Sequence, residues 1–428
     1  MISYEENMEL MRVGPGTLMG DLMRRYWMPV AAAAELDDNP IKQMRLMGED
    51  LVLYKDKDGN YGMLDLHCAH RRADLSYGIQ DQHGLRCNYH GWLFDHTGAC
   101  LEQPFEEVAY PDARFKDRIK IKAYPVEEKA GMLWVYMGPG PTPLVPDYDR
   151  FYDKGYKQVV YTEIPCNWFQ CQENSIDPVH VEWLHGRWSR VLGVGRGPEP
   201  KAHVKVGFDE FDHGIVYRRV SEDTNEEHEM WTVGRVCLWP NALYVGHFEW
   251  RVPIDDENTL SVAWFNVPVP GDAPFEQERI HYWTSPLTDE VTGRWIDTHV
   301  MNQDFIAWVG QGALADRTQE HLGGSDQGII MMRRRMLEEA RVVADGGEPK
   351  CVYRDPDTNQ KLYLPRQGRN RDDQAIPPGL RGIRDPNKAP RNVHLAKQPQ
   401  WILDEMDGIW EERLKATGSY TPVEAEVE

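Results

Sequence analysis

The chain lacks any apolar run approaching about eighteen residues, any block rich in Lys and Arg, and any regular cysteine spacing. The first absence excludes a membrane-spanning helix, which needs about twenty consecutive apolar residues. The second argues against a nucleic-acid partner, since 48 basic residues face 69 acidic ones and the formal charge is -21. The third argues against a secreted disulfide scaffold. Cys68, Cys87, Cys100, Cys166, Cys171, Cys237 and Cys351 are odd in number and scattered, so a reducing cytoplasm is the expected location. A basic start leading into an apolar core is missing too, because Glu5, Glu6, Glu9 and Asp21 interrupt the opening residues, and no signal peptide is expected.

What is present begins with two hooks. Cys68-Ala69-His70 is followed, sixteen residues later, by Cys87-Asn88-Tyr89-His90-Gly91-Trp92. Thiolates are soft ligands and imidazoles borderline ones, so two Cys and two His suit either one zinc ion or a [2Fe-2S] cluster with Cys on one iron and His on the other. A zinc finger usually keeps its two Cys in one hook and its two His in the other, on a helix. Here each hook carries one of each, the arrangement of a Rieske centre, in which both loops give a Cys to one iron and a His to its neighbour.

At 428 residues the chain exceeds one usual core, and two main domains are expected. Two short helices are expected within residues 6–28, separated by Gly14-Pro15-Gly16-Thr17, with Thr17 capping the second. From about Met44 the period becomes two: Leu51–Tyr54, a Lys57–Asn60 turn, Tyr61–Leu66, Ile119–Tyr124 and Met132–Tyr136 read as strands of a small all-β domain. Further strands are expected at Lys157–Glu163, Val204–Phe208, Gly214–Val220, Met230–Leu238, Ala242–Phe248 and Thr259–Val267. Without alternating long helices, these read as an antiparallel sheet. Helices are expected at Ile329–Asp345 and Trp401–Ala416, with a wrapping segment over Tyr353–Pro399 and a loose acidic tail after Tyr420. The expected division is 1–43 N-terminal helices, 44–140 cluster domain, 141–345 catalytic domain and 346–428 C-terminal extension.

A second metal site is suggested by Asp177-Pro178-Val179-His180-Val181-Glu182-Trp183-Leu184-His185-Gly186. Two His with four residues between them stand about 1.4 turns apart on an α-helix, so they can meet one ion if the helix bends or ends, and Gly186 offers an end. Alone, this spacing more commonly marks a surface pair. Asp177, three residues before His180, shares its helical face, and an ordinary cap ahead of Pro178 is its other reading. The glycine-rich stretch Gly193–Gly197 does not sit between a strand and a crossover helix, so no nucleotide site is expected.

The hooks, together with Arg71 and the Tyr89–Trp92 run, resemble the Rieske non-haem iron oxygenases that attack aromatic rings, with Ala69 where Pro is common. Tyr4–Asn7, Gly14–Thr17, Arg25–Pro29 and Glu320–Gly323 are similar to the phthalate 4,5-dioxygenase-type branch, which also contains aromatic O-demethylases. The resemblance implies an α+β fold, a small all-β Rieske domain followed by a catalytic domain whose antiparallel sheet is flanked by helices in the helix-grip, START-like manner. It implies Cys68, His70, Cys87 and His90 as cluster ligands, and His180, His185 and Asp304 as ligands of a mononuclear Fe(II). Asp177 would hydrogen-bond a metal-bound His and reach a cluster His of a neighbouring subunit.

The activity so implied is that of a terminal oxygenase. It would use O2 and electrons from a separate NADH-dependent reductase, with or without a ferredoxin, to hydroxylate an aromatic carboxylate or remove an O-methyl group. A homotrimer or hexamer is implied as well. Arg190, Arg219, Arg235 and Arg251 are candidates to hold a carboxylate, and Trp231, Leu238, Tyr244, Phe248 and Trp264 to line an apolar pocket. The competing readings are an electron carrier without oxygenase activity, which would need neither the His180 and His185 pair nor a large second domain, and a zinc-stabilised structural protein, which would be colourless.

Overall fold

Period-two stretches dominate the computed structural model, which describes residues 2–195, 199–367 and 387–420. Near the hooks they form two four-stranded sheets. One runs Ile41–Leu46, Glu49–Lys55, Tyr61–Asp65 and Ala123–Tyr124; the other runs Ile79–Asp81, Gly84–Arg86, Leu93–Phe94 and Cys100–Glu102. Val52, Tyr54, Leu64, Leu75, Leu85, Trp92 and Phe94 fill the core between them. A three-stranded sheet, in the order Trp27–Ala32, Met132–Tyr136, Val126–Lys129, joins this unit to the rest of the chain.

The large sheet has eight strands in the order His203–Phe211, Gly214–Ser221, Arg235–Leu238, Ala242–Tyr244, Phe248–Pro253, Thr259–Val267, Tyr156–Ile164 and His281–Thr284. Every neighbouring pair is antiparallel except the last, which is parallel. Alternation divides its side chains between two cores. Phe248, Trp250 and Trp264 turn toward Trp134 and Phe151, with Trp134 and Trp250 edge to face at 5.3 Å. Ala263, Phe265, Val160 and Tyr156 turn the other way and pack with Met301, Phe305 and Trp308 of the helix Val300–Val309 and Ile402, Met406 and Trp410 of the helix Gln400–Thr417.

Thr17 accepts from the Gly20 amide and starts the helix Leu18–Met23, as its hydroxyl chemistry indicates. Three stretches differ from expectation. Met230–Leu238 is a short helix, Glu229–Thr232, before the strand Arg235–Leu238, because the His228 ring accepts from the Met230 amide and caps a turn. Ala242–Phe248 is two strands, since Gly246 takes φ +100° and reverses the chain. Ile119–Tyr124 pairs mainly at Ala123–Tyr124, with an isolated bridge at Lys120.

Among the described residues no helix is long and apolar enough to cross a membrane. Arg196 and Gly197 of the glycine-rich stretch, residues 368–386 of the wrapping segment and the tail after Tyr420 lie outside the described residues.

Candidate metal centres

Each hook closes on itself through backbone hydrogen bonds. The Cys68 amide donates to Ala73 O at 2.9 Å and the Arg72 amide to Cys68 O at 3.0 Å. In the second hook the Cys87 amide donates to Trp92 O at 2.8 Å and the Gly91 amide to Cys87 O at 3.0 Å. Gly91 takes φ +75°, where a Cβ would also stand 3.1 Å from Pro104 Cγ. The two loops then present unlike ligands to unlike surroundings: Cys68 and Cys87 are buried, whereas His70 and His90 are exposed, with ring centroids 4.4 Å apart. His70 also stacks on Trp92 at 4.6 Å.

Burial, with Cys87 adjacent, pushes the Cys68 thiol up to about 12, so thiolates at this depth call for positive charge beside them. One tetrahedral zinc would draw four donors to within about 3.6 Å of one another. Among the described residues, no three of these four have ligand atoms all within 4.8 Å. A donor set divided into an inner thiol pair and an outer imidazole pair fits a two-iron cluster with the His-bound iron toward solvent.

The second centre is a group of three. Ligand atoms of His180, His185 and Asp304 all lie within 4.8 Å of one another. Asp304 Oδ1 is 3.1 Å from His185 Nε2 and 3.6 Å from His180 Nε2. Two imidazoles and one carboxylate on one side of a point are the donor set of a ferrous site that keeps other positions open. Asp304 reaches this place from the helix Val300–Val309, and it is buried.

The His pair converges by a route the sequence reading did not anticipate. The helix neither bends nor ends at Gly186; Val181–Trp188 is a π-helix with His180 at its N-cap. The π-helical repeat joins residues five apart, so it stacks His180 and His185 on one side, where an α-helix would leave them about 1.4 turns apart. Gly186 serves close packing instead, since a Cβ there would stand 2.7 Å from Pro200 Cγ.

Gln303 was missed by the sequence reading, and it orients His185. His185 Nδ1 is 3.0 Å from Gln303 Oε1, while Gln303 Nε2 donates to Ser189 Oγ at 2.7 Å and to Asp297 O at 2.8 Å. With its amide nitrogen so engaged, Gln303 offers only oxygen to the ring. His185 must donate from Nδ1, which leaves Nε2, beside Asp304, to take a metal ion or a proton. Burial disfavours charge on His185, yet Asp304 and these bonds outweigh it and raise its pKa, the mark of a pocket that favours a cation. Asn174 Nδ2 adds a 3.3 Å bond to Asp304 Oδ1.

Asp177 lies between its two expected roles. Oδ1 accepts from the Val179 amide at 2.7 Å as a turn cap, and Oδ2 is 3.4 Å from His180 Nδ1, an ion-pair distance outside hydrogen-bond geometry. Glu173 is fully engaged elsewhere, accepting from Arg317 at 2.6 Å and Arg333 at 2.6 Å.

Of the apolar candidates, Leu238, Tyr244, Phe248 and Trp264 point away from this centre. They share the period-two face that packs on Trp134 and Phe151, whereas Cys237, Glu249 and Arg251 face the metal side. Trp231 is half-buried under Lys205 Nζ, 4.3 Å from its ring.

The described features match known proteins over most of the chain. Residues 26–125 match the Rieske [2Fe-2S] domain, and residues 287–363 match a C-terminal domain described as LigXa C-terminal domain like. The oxygenase subunit of 5,5'-dehydrodivanillate O-demethylase from Sphingobium sp. is 54% identical over 368 residues, 85% of this chain and 87% of that protein. The oxygenase subunit of phthalate 4,5-dioxygenase from Pseudomonas putida is 33% identical over 387 residues, 79% of this chain and 86% of that protein. Among solved structures, Pseudomonas putida CBB5 NdmA with caffeine shares the fold at TM-score 0.59 and 22% identity, over 77% of this chain and 94% of that one.

Proposed function

The chain belongs to the Rieske non-haem iron oxygenases, and from that premise we propose that it removes O-methyl groups from a methoxylated aromatic acid. It is the oxygenase component of a Rieske system and uses a [2Fe-2S] cluster, a mononuclear iron and O2. When bound, the mononuclear iron supplies O2 activation beside the substrate. Cys68, Cys87, His70 and His90 would hold the cluster, and His180, His185 and Asp304 the single iron. The observation that carries this assignment is the convergence of those three side chains with all donors within 4.8 Å, 119 residues of sequence separating His185 from Asp304.

O-demethylation is preferred over ring hydroxylation because the 54% identical relative is named for it. An acidic substrate fits the charge of the pocket. Arg219 and Arg235 stand close enough on adjacent strands that burial and Arg235 together push Arg219 down to about 9. Arg235 also weighs on the basicity of His185. Neither is ion-paired to a carboxylate among the described residues, whereas Arg251 is bound by Glu249 and Arg190 is exposed. Arg219 and Arg235 are therefore our carboxylate ligands.

Oxygenases of this kind work with separate redox partners, and an NADH-dependent reductase in the cytoplasm is our reading here. A homotrimer, single or stacked, completes it. His70 and His90 are exposed among exposed Tyr89, Phe105 and Tyr110, so a neighbouring subunit could cover that face and bring Asp177 to a cluster His. The test is turnover of 5,5'-dehydrodivanillate with reductase, NADH and O2. Formaldehyde release in proportion to product supports demethylation; ring diol without formaldehyde refutes it.

A further inference from the structure

The short helix Pro104–Ala109 starts beside the second hook, and its N-cap is Gln103. A polar residue at that position ordinarily turns its side chain onto the free amides of the first helical turn. Gln103 makes no such bond, and the residue lies wholly inside the domain, 0% exposed. Neither Nε2 nor Oε1 has a hydrogen-bond partner among the described residues. Buried polar side chains are paired in the great majority of cases, because an unpaired one forfeits its solvation, so an amide with both ends free calls for a reason.

Strand pairing places that amide against the hooks. Leu93 pairs with Glu102, so the next residues outward, Trp92 and Gln103, come abreast. Trp92 closes the second hook by accepting from the Cys87 amide, and its ring stacks on His70. One residue further, Pro104 packs on Gly91. Cys68, Cys87, Trp92 and Cys100 share one buried core, so Gln103 approaches the hooks from the thiol side, opposite the exposed imidazoles. Burial raises the Cys100 thiol to about 11, and the Gln103 amide stands close enough to offset part of that rise, short of hydrogen-bond geometry. Cys100 in turn adds to the burial that raises Cys68.

A sulfur bound to iron carries no proton, so it accepts hydrogen bonds and cannot donate them. Only the NH2 end of an amide can face it. An N–H aimed at such a sulfur favours the more negative, reduced state of a cluster, and hydrogen bonds of this kind help to set iron–sulfur potentials. We propose that Gln103 donates from Nε2 to a sulfur on the Cys68 and Cys87 side of the cluster and thereby raises its reduction potential; this rests on the ligand assignment above. The step it favours is the uptake of one electron from the redox partner, in which no bond forms or breaks and the amide keeps both protons.

The test is a dye-mediated redox titration of the holoenzyme, followed by the visible absorption of the cluster. Gln103→Leu keeps the bulk and removes the donor. At the wild-type midpoint its ratio of reduced to oxidised cluster should fall at least about threefold, which is about 28 mV at about 59 mV per tenfold for one electron. Gln103→Glu, with acceptors in place of the donor, should fall at least as far. Sulfide per chain should match wild type in both, and an unchanged midpoint in a variant with full sulfide overturns the inference. A second measurement needs no variant to fold. In wild-type protein isotopically labelled at the glutamine side-chain nitrogens alone, pulsed electron paramagnetic resonance of the reduced cluster should show a labelled nitrogen coupled to its spin, the nearby Gln80 and Gln82 amides being held by Lys55 O and Asp58. Absence of that coupling overturns the inference while leaving the ligand assignment intact. Wild-type protein without acid-labile sulfide would remove the assignment, and this inference with it.

Discussion

Replacing Gln303 by Leu keeps the volume roughly constant and removes the one acceptor that fixes His185. The bond lost is the 3.0 Å contact from His185 Nδ1, after which that ring is free to choose either tautomer and to rotate. Loss of such a partner typically weakens a metal site by about 10- to 100-fold, or roughly 1.4–2.8 kcal/mol. A separate cost falls on folding, because Ser189 Oγ and Asp297 O lose their donor, at roughly 1–3 kcal/mol for the buried groups left unpaired. The two effects are separable. Anaerobic titration of metal-stripped protein with Fe(II) gives the site affinity, while the visible spectrum of the cluster and thermal unfolding report the rest. Gln303→Glu keeps an acceptor oxygen on His185 and should bind Fe(II) at least as well as wild type. An unchanged Fe(II) affinity in Gln303→Leu would refute the claim that this amide sets the ligand geometry.

Asp304→Ala should lose the mononuclear iron and keep the cluster absorption; metal analysis showing wild-type iron content would move the ligand elsewhere. Asp177→Asn keeps the Val179 cap acceptor but not the charge, so both metals should stay while single-turnover product formation slows at least about tenfold; a wild-type rate would deny it a role between subunits. Gly91→Ala forces a residue with a Cβ into φ +75° against Pro104, and should cost roughly 1–2 kcal/mol at the hook and lower cluster occupancy, read as sulfide per chain. Glu173 has its carboxyl lowered, since Arg317 and Arg333 outweigh its burial, so its contribution is present above the usual glutamate range and is lost as pH falls through the folded value. Arg317→Met should therefore destabilise by roughly 3–5 kcal/mol at neutral pH, and denaturant titration should show the deficit shrink in acid, where the stranded carboxyl becomes protonated.

The hooks were legible because their chemistry is local: four candidate ligands, a turn glycine and a stacking Trp fall within one short stretch, and little else uses that combination. The small all-β domain and the antiparallel sheet followed from period-two patterning, and the strand bounds held to within a residue where alternation was unbroken, as in Tyr156–Ile164 and Thr259–Val267. Cap and turn residues decided the exceptions at His228 and Gly246, whose signals are no stronger than those of many loop residues. Which face of the large sheet serves the metal was not legible. One residue of register decides whether Phe248 or Glu249 looks inward, and the charged face carrying Glu249 and Arg251 reads as a solvated one although both are buried. The π-helix was equally hidden, because no local pattern separates it from an α-helix until tertiary contacts form. Gln303 stayed unmarked for a simpler reason: its partner His185 is 118 residues away.

The claim on which everything rests is that two irons sit in the Cys68 to Trp92 hooks and a third between His180, His185 and Asp304. Metal and acid-labile sulfide analysis of the purified chain, with electron paramagnetic resonance of the reduced form, tests it most directly. The account predicts three irons and two sulfides per chain and the signal of a cluster with imidazole on one iron, the third iron alone disappearing in Asp304→Ala. Colourless protein carrying one zinc and no sulfide would contradict it.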